Sequence, residues 1–160
     1  MKRLHIHIAV ADLAHNVDFY SRLFAQAPTV QHADYAKWML DEPRINFAIS
    51  ARGAKPGLDH LGIQVDGAEE LDALQARFEA ADLATRSQQG TGCCYSRSDK
   101  HWVTDPQGVA WEHFHTLGDI PTFNDVVGGS ANSGGCTPPV RGKPLGIPVK
   151  PAAPPATSCC

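Results

Sequence analysis

Residues 5–13 read HIHIAVADL and residues 59–67 read DHLGIQVDG. In the first stretch and its flank, Leu4, Ile6, Ile8 and Val10 fall on one side and His5, His7 and Ala9 on the other. That period of two is the mark of a half-buried strand, and the second stretch carries a similar strand. Each strand runs into a helix signal. Asp12 stands at an N-cap position, and Leu13, Val17, Tyr20 and Phe24 follow at helical spacing until Pro28 stops the helix. Asp66 and Glu69 have the spacing of a capping box, and Leu71, Leu74 and Phe78 form the apolar stripe behind them.

Each helix is followed by paired strand-like runs. Residues 35–40 and 45–49 flank the turn at 41–44, and residues 101–104 and 109–115 flank the turn at 105–108. The Gly- and Pro-containing stretch 51–57, ARGAKPG, joins the halves. The chain therefore reads as two βαβββ modules, about 3–50 and 58–116, in an α+β domain spanning 1–116. Residues 117–160 gather prolines and glycines without a sustained period, and this composition predicts an irregular or disordered tail.

The two modules align as a repeat. Placing His5 on His60, 55 residues on, also puts Ile8 on Ile63, Val10 on Val65 and Leu23 on Phe78. Further along the offset becomes 64, with Trp38 on Trp102 and Asp41 on Asp105. The second module thus holds about nine extra residues between its helix and its last strands, and Cys93 and Cys94 lie in that insertion.

Composition narrows the partners. The formal net charge is -3 and the basic residues are scattered, so no stripe exists to hold nucleic acid or anionic lipid. No apolar run nears the roughly 20 residues needed to cross a bilayer. MKRLHIHIAV breaks into alternation too early for a signal peptide, so a cytoplasmic protein acting on a small molecule is expected. Five cysteines, Cys93, Cys94, Cys136, Cys159 and Cys160, are then expected to be thiols. A bridge between adjacent cysteines would close a strained small ring.

Two distant histidines at equivalent repeat positions face one centre if the modules are related by a pseudo-two-fold axis. Glu112 lies on the final strand of the second module, where its repeat partner is Ala48. His5, His60 and Glu112 together make a candidate ligand set of two imidazoles and one carboxylate that leaves coordination positions open. Such a set is associated with non-heme Fe(II), and Mn, Co and Zn fit it as well. His7 breaks the repeat alignment and is expected to support the site or lie on the surface. His113 and His115 point away from Glu112 on a regular strand.

The two openings, the paired modules and the closing TDPQGVAWEHF resemble the vicinal oxygen chelate superfamily over roughly residues 3–116. The resemblance implies a cupped mixed sheet around a divalent metal held by His5, His60 and Glu112. It leaves the reaction open. The insertion-borne GCCYSRSDKHWVTDP resembles, more narrowly, the ArsI-type carbon-arsenic lyases, a branch related to the cadmium-induced CadI proteins. That likeness implies that Cys93 and Cys94 bind a trivalent organoarsenical and that Fe(II) uses dioxygen as co-substrate; for the assembly, a monomer or a homodimer is expected. The chemistry agrees: trivalent arsenic with one carbon substituent has two positions left for sulfur. Tyr95, Lys100 and His101 are candidates to line the loop or support the ligands. A glyoxalase or a fosfomycin-type transferase would use the same metal scaffold without oxygen chemistry. A sequestering protein for arsenic or cadmium would use the thiols alone, with Cys136, Cys159 and Cys160 as further donors.

Overall fold

A computed structural model describes residues 2–124. The first module runs β1 (Arg3–Ala9), α1 (Leu13–Leu23), β2 (Val30–Gln31), β3 (Tyr35–Asp41) and β4 (Arg44–Ser50). The second runs β5 (Gly57–Val65), α2 (Ala68–Ala80), β6 (Arg86–Cys93), β7 (Ser96–Thr104) and β8 (Ala110–Asp119). All eight strands form one mixed sheet in the order β2-β3-β4-β1-β5-β8-β7-β6. The paired βαβββ architecture is the expected one. Residues 125–160, with Cys136, Cys159, Cys160 and most of the expected tail, lie outside the described residues.

The register makes the internal symmetry explicit. β1 and β5 are antiparallel neighbours in which His5 faces Gly62 and His7 faces His60. An offset of 55 exchanges these two pairs, so the pseudo-two-fold axis passes through the β1–β5 seam. β1 is parallel to β4, with His5 on Asn46 and His7 on Ala48. β5 is parallel to β8, with His60 on Ala110 and Gly62 on Glu112. These pairs keep the offset of 64 for the last strand of each module.

The tryptophan alignment does not survive. Lys37 pairs with Ala48 on β3–β4, whereas Trp102 pairs with Glu112 on β7–β8. Lys37, and not Trp38, is therefore the equivalent of Trp102. A one-residue slip turns a strand side chain to the other face. Trp38 accordingly packs with Phe47 and Ile49 beneath α1, while the Trp102 ring lies 5.3 Å from that of His60.

Both helices cover the outer face of the sheet. The Asp12 carboxylate accepts from the His15 backbone N–H at 2.9 Å and starts α1 as expected. Leu13, Val17, Tyr20 and Phe24 pack against Val10, Trp38 and Phe47. The start of α2 departs from expectation. Its N-cap is Gly67, with no side-chain cap, and Glu70, not Glu69, reaches back to accept from the Asp66 N–H at 3.1 Å. Leu71 and Leu74 close the core over Val65.

In β1 the histidine face is the more deeply buried one: His5 and His7 are buried, whereas Leu4 on the opposite face is exposed. The curled sheet encloses that inner face between its two halves.

The extra residues of the second module build β6, eight residues long against two in β2. This strand, RSQQGTGC, has no apolar alternation to reveal it and is held at the sheet edge by backbone pairing with β7. Cys93 pairs with Ser96, which leaves Cys94 and Tyr95 as the two central residues of a hairpin turn. Both are left-handed, at φ 56° and 62°, the backbone of a type I′ turn. The cysteines thus sit at a hairpin tip and not in an open loop. β8 continues past residue 116 to Asp119, and Phe123 folds back against Tyr35 and Cys93.

Candidate active site

The inner face of β1 and β5 supplies two imidazoles. His5 Nδ1 lies 3.0 Å from the Asn46 carbonyl oxygen. A carbonyl only accepts, so Nδ1 carries the proton and the Nε2 lone pair of His5 points inward. His60 Nδ1 donates to Asp59 Oδ1 at 2.6 Å. The two Nε2 atoms then meet at 3.1 Å. Glu112 Oε2 completes the group, 3.4 Å from His60 Nε2 and 3.7 Å from His5 Nε2. All three residues are buried.

The protonation states follow from these contacts. Burial, assisted by the neighbouring His60, lowers His5 to about 4. Burial also opposes charge on His60, but its bonds to Asp59 and Glu112 outweigh that and raise it to about 9. His60 Nε2 therefore donates to His5 Nε2. Glu112 is held well below the usual carboxylate range: burial opposes ionisation and is outweighed by Lys100, His60 and His5.

Donors bonded to a cation at about 2.0–2.2 Å stand roughly 3–3.5 Å from one another. His5 Nε2, His60 Nε2 and Glu112 Oε2 are spaced close to that, on buried side chains whose rings are already oriented, so the residues fit a divalent metal. His7 is a further donor. One ligand atom from each of His5, His7 and His60 lies within 4.8 Å of the others, so these three histidines could hold a metal ion. His7 is deeply buried and not on the surface. Its Nε2 lies 3.0 Å from Ser50 Oγ, and its Nδ1 is buried without a hydrogen-bond partner.

The other candidates divide. Lys100 is buried beside the site, with Nζ donating to Glu112 Oε1 at 2.6 Å. Cys93 and Cys94 line the same cavity as His5, His7, Lys100 and Glu112. Tyr95 faces the first module: its hydroxyl donates to Asp34 Oδ1 at 2.6 Å and its ring stacks on His32 at 3.5 Å. Burial and the Asp34 carboxylate push it up to about 12, so the hydroxyl stays a donor. His101 is not brought in. It pairs with His113 on the other face of β7, and its Nδ1 lies 2.8 Å from Ser87 Oγ.

The two sulfurs of the cysteine pair lie 3.2 Å apart, well beyond the ~2.05 Å of a disulfide, so the adjacent cysteines are not bridged to one another, as expected. The Cys94 thiol is pushed up by burial and by the nearby Glu112 carboxylate.

No sequence pattern marks Asn46, Asp59 or Tyr35 as part of the site. Asp59 precedes a candidate ligand directly, but one-residue spacing on a strand gives no sign that two side chains meet. Asn46 acts through its backbone, and Tyr35 joins the cavity only because β3 lies two strands from β1.

Among the described residues no helix is long and apolar enough to cross a membrane. The family model of the Glyoxalase/Bleomycin resistance protein/Dioxygenase superfamily matches residues 2–113. A trivalent organoarsenical cleaving enzyme of Bacillus sp. (strain MD1) is 39% identical over 119 residues, covering 72% of this chain and 74% of the relative. The cadmium-induced protein CadI of Mycobacterium bovis is 34% identical over 139 residues, covering 82% and 91%. Among solved structures, an extradiol ring-cleaving dioxygenase from B. fuscum superposes with a TM-score of 0.56 at 19% identity, covering 74% of this chain and 33% of that one. At that identity the likeness concerns the fold.

Proposed function

The chain belongs to the Glyoxalase/Bleomycin resistance protein/Dioxygenase superfamily, and from that premise we propose that it cleaves the carbon–arsenic bond of trivalent organoarsenicals, such as methylarsonous acid or an aromatic arsenical, and releases inorganic arsenite. The observation that carries this reading is that the cysteine hairpin tip lines one cavity with His5 and Glu112, and His60 Nε2 stands behind them, 3.1 Å from His5 Nε2. Relatives named for organoarsenical cleavage, matched over most of their length, support the same reading.

The residues divide the work. Cys93 and Cys94 hold the arsenic: each thiol proton leaves with an arsenic hydroxyl as water, so two arsenic–sulfur bonds form and the carbon substituent remains. Capture at both sulfurs requires both cysteines as thiols. Fe(II) held by His5, His60 and Glu112 would supply the activation of dioxygen that oxidises the carbon–arsenic bond; for methylarsonous acid, one dioxygen balances the products arsenite and formaldehyde. His5 and His60 present Nε2 to that centre because their Nδ1 protons are already engaged. Lys100 holds the Glu112 carboxylate in place and keeps it ionised. Tyr35 closes the cavity beside the thiols with an uncharged ring, its ionisation suppressed by burial. Sulfur bonds and the buried walls fix the substrate next to the metal, which makes the reaction effectively unimolecular.

Reduced, Fe(II)-loaded protein in air should convert methylarsonous acid to arsenite, resolved by chromatography with elemental detection. Turnover should vanish without oxygen, in Cys94→Ser and in Glu112→Ala. Full turnover in Cys94→Ser would overturn the thiol capture, and equal conversion without oxygen would overturn the oxidative reaction. Stoichiometric arsenic binding with no product would show a sequestering protein.

A further inference from the structure

Asp59 is the residue by which β5 departs from regular pairing. His7 pairs with His60, and the next residue of β1, Ile8, pairs with Leu58, so Asp59 has no partner in the β1 ladder and forms a bulge. On a regular strand Asp59 and His60 would point to opposite faces. A bulge re-aims a side chain locally, and bulges are over-represented beside active sites. Here the Asp59 carboxylate turns to the His60 ring and accepts from Nδ1 at 2.6 Å. The same oxygen lies 3.9 Å from His7 Nδ1, a buried nitrogen with no hydrogen-bond partner. The Asp59 side chain is 18% exposed, so little water competes for it.

His5 and His60 therefore have different supports. A neutral backbone carbonyl orients His5, whereas an anionic carboxylate orients His60. A carboxylate behind an imidazole fixes its tautomer and makes the opposite nitrogen a stronger donor.

We propose that Asp59 is a positioning residue: its bulge-directed carboxylate holds the Nδ1 proton of His60 and so directs the His60 Nε2 lone pair at a divalent metal. This rests on the metal centre proposed above. Loss of such a partner costs about 10–100-fold in metal affinity.

The test uses Co(II) as the probe, titrated anaerobically into the full chain and followed by its visible absorption. Asp59→Asn removes the charge and Asp59→Ala removes the bond. Both should bind one equivalent at least ~10-fold more weakly than the unsubstituted protein, Ala more weakly than Asn. In parallel, metal-free protein should show a low-field proton resonance coupled to the His60 Nδ1 nitrogen, lost in Asp59→Ala. A purely structural role would lower the unfolding temperature and leave that resonance in place, which overturns the proposal, as would Co(II) affinity within ~2-fold in both variants. If the unsubstituted protein bound no Co(II), the metal centre itself would fail. The Nδ1 resonance would still decide whether Asp59 holds the His60 proton.

Discussion

His5 and His60 are 55 residues apart in the chain, and their Nε2 atoms stand 3.1 Å apart. Neither ring is free to turn away, because Asn46 O holds one Nδ1 and Asp59 the other. The site is thus pre-organised on the two strands that meet at the pseudo-symmetry axis. Geometry built on paired strands is held more tightly than geometry built on loops. This arrangement makes the consequences of single substitutions specific.

Gly62→Ala should displace Glu112. A Cβ at residue 62 would stand 1.9 Å from the Glu112 carbonyl oxygen, a backbone atom that cannot step aside without moving β8. Co(II) affinity should fall about tenfold or more. Gly67→Ala, which meets nothing within 4 Å, should leave it unchanged. Equal affinity in the two variants would count against the strand approach as the cause.

Lys100→Met should destabilise the metal-free protein more than the Co(II)-loaded protein. In the metal-free form the ammonium neutralises a buried carboxylate, and removing one member of a buried pair costs about 3–5 kcal/mol. A bound cation takes over part of that neutralisation. Urea unfolding with and without Co(II) reads the difference, and an equal loss in both conditions would refute it.

Tyr95→Phe and Asp34→Ala should loosen the cysteine hairpin. Two non-glycine residues in left-handed conformations cost of order 1–3 kcal/mol each. The turn is held by the Tyr95–Asp34 hydrogen bond, the stack on His32, and the packing of Phe123 on Tyr95. With the hydrogen bond removed, alkylation of Cys94 by a small maleimide should quicken about tenfold, a shift of ~1.4 kcal/mol. An unchanged rate in both variants would mean that the turn needs no such tether.

Metal-free protein should lose stability as the pH falls from about 6.5 toward 4. Burial lowers His5 to about 4, His7 to about 3 and His113 to about 4, so these imidazoles stay neutral in the fold while the unfolded chain takes up protons. The unfolded state then binds more protons in that window, and stability rises with pH there. His60 acts in the opposite sense. Raised to about 9, it contributes stability that is complete below about 6.5 and is lost as the pH climbs through 9. His113, packed on Phe78 outside the cavity, separates the two effects. His113→Phe should flatten the acid limb of a denaturation series and leave the alkaline limb unchanged.

Much of this molecule was legible in its residues because hydrophobic period and repetition are local signals. The alternation of β1, the Asp12 cap, the stripe of α2 and the 55-residue offset each depend on neighbours in the chain. They determined two βαβββ modules and brought His5, His60 and Glu112 forward as a set. What failed to show depends on pairing across the sheet. Trp38 and Trp102 look equivalent in sequence, yet a one-residue difference in strand pairing puts them on opposite faces. β6 has no apolar alternation, because it is held by backbone bonds at an edge. Asp59 reaches His60 only through a bulge, and His7 is buried only because the sheet curls over it. The sequence by itself determined which elements form and which residue types the repeat brings together. Tertiary structure alone decided which ring nitrogens face the cavity, how the cysteine tip is held and what stands behind each imidazole, since register and curvature arise only when distant strands pair.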